Sequence, residues 1–111
     1  MDYFQKLKAI AKGLNKKYPN GNKPFQIITR LSEETGELAK EVNHFEKTGK
    51  KIEKYGPPDK NNLAKEVQDI FRSAWHVALY YNIEKELLNS IDKRFKKLKK
   101  DSYIKDKNLK K

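Results

Sequence analysis

Apolar residues recur every three to four positions along four separate stretches of this chain, and no stretch sustains the two-residue alternation of a strand. Tyr3, Leu7, Ile10 and Leu14 predict a first helix over about residues 2–17. Ile27, Leu31, Leu38, Val42 and Phe45 predict a second over 25–47, and Leu63, Val67, Ile70, Phe71, Ala74 and Ala78 a third over 60–81. Leu87, Ile91, Phe95 and Leu98 predict a fourth over 84–100. Glycine and proline sit between them, at Tyr18-Pro19-Asn20-Gly21-Asn22-Lys23-Pro24 and from Thr48-Gly49 to Gly56-Pro57-Pro58; a weaker joint falls at Tyr81-Asn82-Ile83. The expected class is all-α: a bundle of four main helices in a single domain over residues 1–100. The basic tail, 101–111, is expected to be loosely ordered.

With 36% hydrophobic and 37% charged residues, the apolar surface must be concentrated on a few faces. Four helices in 111 residues, with aromatic residues in the third and fourth, carry more of it than one thin bundle covers. A symmetric homo-oligomer, most simply a two-fold dimer, is therefore expected to complete the core. The absence of cysteine excludes a disulfide framework, a zinc ribbon and a thiol nucleophile. Met1-Asp2-Tyr3-Phe4-Gln5-Lys6 is already amphipathic rather than a signal-peptide core, and no apolar run is long enough to span a membrane, so a cytoplasmic location is expected. The net charge of +11 favours anionic partners, and ten of the bases lie between Lys93 and Lys111. Only three bases are arginine, the residue on which bidentate recognition of bases and phosphates leans, so nucleic acid is not the expected partner.

Two acidic clusters carry the chemistry: Glu33-Glu34-Thr35-Gly36-Glu37 and Glu66-Val67-Gln68-Asp69. Each pairs two carboxylates three residues apart on a helix, where side chains on neighbouring turns can aim at one point. At roughly 100° per residue, Glu34 and Glu66 fall just beside their apolar stripes, and Glu37 and Asp69 lie roughly 60° further out in the same sense. Four carboxylates gathered at a core margin repel one another and lose hydration, so they demand a cation. A hard divalent ion, Mg²⁺ or alternatively Mn²⁺, suits an all-oxygen donor set. There is no Ser–His–Asp or Cys–His arrangement and no Gly-rich phosphate loop.

Leu31-Ser32-Glu33-Glu34-Thr35-Gly36-Glu37-Leu38-Ala39, followed by Leu63-Ala64-Lys65-Glu66-Val67-Gln68-Asp69-Ile70, resembles the paired signature of MazG-like nucleotide pyrophosphohydrolases. These belong to the all-α NTP pyrophosphatase superfamily, and the resemblance covers about Phe25 to Ile83. It implies that Glu34, Glu37, Glu66 and Asp69 hold Mg²⁺, and that Glu33 orients or activates the attacking water. It also implies a homodimer or homotetramer that hydrolyses a nucleoside triphosphate to the monophosphate and pyrophosphate, a reaction that suits house-cleaning of the nucleotide pool. Alternatives are a phosphoribosyl-ATP pyrophosphohydrolase, which shares the architecture, and a non-enzymatic basic helical module that binds nucleic acid.

Substrate contacts are expected from Phe25 and Gln26 ahead of the first cluster and from Arg94 and Lys97 in the last helix. His76 joins them, seven residues after Asp69 and so on its face. Trp75, Tyr80 and Tyr81 are expected in the core or at a subunit contact. Lys40, Lys47, Lys50, Lys51 and Lys54 are expected to solvate the surface, with one of them in reach of a phosphate.

Overall fold

A computed structural model describes residues 1–46 and 56–105. Among the described residues it is all-helical, with α1 at Tyr3–Lys17, α2 at Pro24–Phe45, α3 at Lys60–Tyr80 and α4 at Glu84–Lys100. No helix among them is long and apolar enough to cross a membrane. The chain divides into two compact units, Met1–Tyr80 and Tyr81–Lys111.

Local chemistry sets each helix end. Asp2 caps α1: its carboxylate accepts from the Gln5 N–H at 2.8 Å, and the Gln5 side chain accepts from the Asp2 N–H at 2.8 Å. Pro24 opens α2 with its fixed φ, while the Gln26 side chain accepts from the Lys23 N–H at 3.0 Å. Asn82, at φ 54°, makes the left-handed turn that separates α3 from α4. The end of α4 is a Schellman turn built without glycine. Ser102 takes φ 68°, its N–H reaches the Lys99 carbonyl, and the Tyr103 N–H reaches the Leu98 carbonyl. Residues 101–105 therefore hold a defined turn, and 106–111 lie outside the described residues.

In the first unit α3 packs against both α2 and α1. Ala11, Ile27, Trp75 and Ala78 are the buried apolar residues, and the Trp75 ring meets Phe4 edge-on at 4.9 Å between centroids. The expected stripe on α3 needs correcting. Val67, Phe71 and Ala74 are exposed, whereas Ser73 and His76 are buried. The polar residues face inward because Ser73 satisfies a carboxylate that projects from α2, while Val67 and Phe71 turn toward α1 and line an apolar groove with Tyr3 and Leu7. Tyr80 and Tyr81 are also exposed rather than core. In the second unit, α4 has no buried residue; its apolar side shows Leu88, Ile91 and Leu98 to solvent.

The connection between α2 and α3 is tied at its ends. His44, buried near the end of α2, donates from Nε2 to the Gly56 carbonyl at 2.6 Å, and Gly56 adopts φ +78°, a conformation that disfavours any side chain. Lys47, Lys50, Lys51 and Lys54 lie outside the described residues.

Candidate functional site

Glu34 enters the seam between α2 and α3 from one helix, and Arg72 and Ser73 meet it from the other. Arg72 Nη2 donates to Glu34 Oε1 at 3.0 Å, and the Ser73 hydroxyl donates to Oε2 at 2.7 Å. The paired side chains are only 13% and 14% exposed, so this ion pair is shielded from the solvent that weakens surface pairs. Arg72 also stands 3.7 Å from Asp69 Oδ1, one turn back on its own helix. The other Asp69 oxygen accepts from Lys65 at 3.2 Å.

Lys65 lies in the field of acids from both helices. Its ammonium is held above the usual lysine range by the hydrogen bond and charge of Asp69 first, then by Glu66 and Glu34. Three of the four predicted metal ligands, from two helices, thus contribute negative potential at one exposed point. Glu66 is half-buried, and Glu37 is 53% exposed with Lys40 at 3.4 Å. Among the described residues, no three histidine or acidic side chains stand close enough to grip one ion as they lie. Lysine and arginine instead balance the carboxylates. Glu33 is exposed one residue before Glu34.

Behind the acids, the first unit has an open cavity of about 580 Å³ lined by α1, the turn at Tyr18–Asn22, α2 and α3. Asp69, Arg72, His76 and Arg30 bring its polar lining; Ile10 and Leu14 supply an apolar wall. Arg30 donates to the Gly21 carbonyl at 3.4 Å and to the Asn22 side-chain oxygen. His76 is 1% exposed, and neither of its ring nitrogens has a partner. Burial pushes its pKa down, and the charges of Arg72 and Arg30 push the same way, to about 4, so the ring is neutral at pH 7.

Compared with known protein families, curated proteins and solved structures, the chain matches none.

The remaining expected substrate contacts fall in both units, Phe25 and Gln26 in the first and Arg94 and Lys97 in the second. Phe25 is exposed and outside the cavity lining, and the Gln26 side chain serves the start of α2. Lys97 pairs with Asp101 at 3.2 Å, while Arg94 shares an open surface groove on α4 with Glu86 and Lys93. Arg30, Arg72 and Ser73 are the residues that sequence reasoning passed over. Spacing held a signal for each: Arg30 is four residues before Glu34, Arg72 three after Asp69, and Ser73 seven after Glu66, all same-face intervals.

Proposed function

We propose that this chain is a MazG-like, magnesium-dependent nucleotide pyrophosphohydrolase, converting a nucleoside triphosphate to its monophosphate and pyrophosphate. The observation that carries the reading is geometric: Arg72 stands 3.0 Å from Glu34 on α2 and 3.7 Å from Asp69 on α3, and Lys65 lies 3.2 Å from Asp69, so acids of both helices already face shared cations. A place where acids from two helices share cationic side chains is a place where a metal cation could take over that charge balance. The donor set fits magnesium, since every candidate ligand offers carboxylate oxygen and neither of the chain's histidines stands among them.

Glu34, Glu37, Glu66 and Asp69 would hold the ion, with Lys65 and Arg72 giving up part of their hold on the acids. When bound, magnesium supplies positive charge that makes a water more acidic and offsets charge on the leaving pyrophosphate. The protein's own residues supply the rest. Glu33, exposed beside Glu34, accepts the proton from the attacking water at a carboxylate oxygen. Arg72, fixed by Glu34, presents its remaining N–H groups to the cavity side, where phosphate oxygens accept them. The cavity positions the substrate against the acids.

Self-association belongs to the same proposal. Exposed Phe25, Ile28, Phe71 and Ile91 leave apolar surface that a second copy of the chain would cover. The functional test is a screen of ribo- and deoxyribonucleoside triphosphates for pyrophosphate release with Mg²⁺. Release of pyrophosphate from at least one supports the reading, and none from any overturns it. A larger rise in melting temperature with DNA than with Mg²⁺ would favour the basic nucleic-acid module.

A further inference from the structure

Buried hydrogen-bonding groups normally find partners, and two residues that line the cavity behind the acids carry three nitrogens that do not. Arg30 Nε and both nitrogens of His76 are buried without a partner. A neutral imidazole has one N–H and one lone pair, and Arg Nε–H is donor only. The lining residues therefore carry two unanswered donors against one unanswered acceptor, covered where they lie and brought to a ligand by a turn of the side chains. The cavity's charge points the same way. Arg30 meets only a carbonyl and an amide oxygen, with no carboxylate partner among the described residues. The cavity's one acid, Asp69, is already matched by Lys65 and Arg72. What such a pocket lacks is a group rich in acceptor oxygens.

We propose that this cavity is an oxyanion site in which Arg30 is the charged donor and His76 the neutral one, and that it takes a phosphoryl group. Only the choice of phosphoryl over other oxyanions rests on the pyrophosphohydrolase reading. A guanidinium suits such a group because its planar fork meets two oxygens at once. His76 adds a hydrogen bond without a second full charge, and the Ile10 and Leu14 wall lowers the local dielectric in which both bonds act.

The test uses the full chain in EDTA, so that metal plays no part, with inorganic pyrophosphate as the probe. Calorimetry reads binding, and phenylglyoxal modification mapped by peptide mass reads each of the chain's three arginines separately. Pyrophosphate is expected to bind saturably and to slow modification of Arg30 while leaving Arg94 unchanged. Arg30→Gln is expected to weaken binding by about tenfold or more, as loss of a charge-assisted bond does. His76→Gln, which keeps a donor in a different position, is expected to weaken it by a smaller factor. If Arg30→Gln fails to fold, the modification pattern of the wild-type chain still decides.

Equal modification of Arg30 with and without pyrophosphate, together with an affinity unchanged in Arg30→Gln, overturns the proposal. Malonate binding as tightly as pyrophosphate overturns the phosphoryl assignment. Protection of Arg30 by a nucleoside lacking phosphate as strong as that by pyrophosphate assigns the cavity to a base and overturns it too. Protection of Arg30 in a chain that releases no pyrophosphate from any triphosphate sustains this site and removes the enzyme reading. Hydrolysis with an unchanged KM in Arg30→Gln, and no protection, does the reverse.

Discussion

The seam between α2 and α3 and the cavity behind it are built from the same residue types and solve opposite problems. In the seam, both oxygens of Glu34 are answered, by Arg72 and Ser73, and Asp69 is shared between Lys65 and Arg72. Around the cavity, Arg30 Nε and the ring of His76 are buried without a partner among the described residues. A satisfied ion pair fixes how two helices pack, but its net contribution to stability is modest because desolvation offsets most of the attraction. Unsatisfied buried donors cost stability outright, so their presence in a folded chain points toward a ligand. The seam joins two helices and, on the proposed reading, holds the cation; the cavity carries the unanswered donors.

The comparison breaks most visibly at Glu34. Glu34→Gln keeps size and helix propensity but removes the charge, and turnover is expected to fall on the order of 100-fold or more. Metal affinity should fall with it, and excess Mg²⁺ or Mn²⁺ should restore part of the activity. Glu66→Gln should behave alike. Glu33→Gln should lose turnover on a similar scale with metal and nucleotide binding intact, the sign of an interaction made mainly in the transition state. Pyrophosphate release across a metal titration, paired with calorimetric nucleotide binding, separates the two patterns.

The cavity side has a pH signature. His76 is neutral in the fold, with its pKa lowered from 6.5 to about 4, so the unfolded chain binds its proton first as pH falls. The stability this group contributes is complete above pH 6.5, is lost progressively down to about pH 4 and changes no further below that. The full loss is roughly 3 kcal/mol. Denaturant unfolding of the wild type and His76→Gln at several pH values should give a difference that narrows across this window. A pH-independent difference would show that His76 is not held neutral.

Two smaller effects sharpen the contrast. Lys65→Ala removes the ammonium that lies in the field of acids from both helices, and Mg²⁺ affinity should rise about twofold to fivefold, the scale of an exposed ion pair. Unchanged or weaker Mg²⁺ binding by calorimetry would place the metal elsewhere. Asp2→Ala, whose carboxylate bonds only within the α1 cap, should cost about 1 kcal/mol of stability and leave Mg²⁺ binding untouched.

Most of the fold was legible because helix ends follow local rules. Pro24, the Gly56-Pro57-Pro58 stretch and Asn82 mark the breaks, and observed helix bounds fall within two residues of those read from periodicity. The inward face of α3 was not legible in that way. Periodicity ranks Val67, Phe71 and Ala74 as core by hydrophobicity, and it has no means of knowing that Glu34 needs Ser73 and Arg72 opposite it. The site divides similarly. Glu34, Glu66 and Asp69 announce themselves as paired acids at helical spacing, whereas Arg30 looks like any other charged residue until the turn at Gly21–Asn22 folds over it. His76 was placed on the face of Asp69 from spacing alone, but its burial and open nitrogens depend on packing between elements.

One measurement bears most directly on the account: product analysis of nucleoside triphosphates incubated with the wild-type chain, with Mg²⁺ and with EDTA. The account predicts monophosphate and pyrophosphate in equal amounts with Mg²⁺, and none with EDTA. Hydrolysis indifferent to EDTA, or phosphate rather than pyrophosphate as the released product, would contradict it.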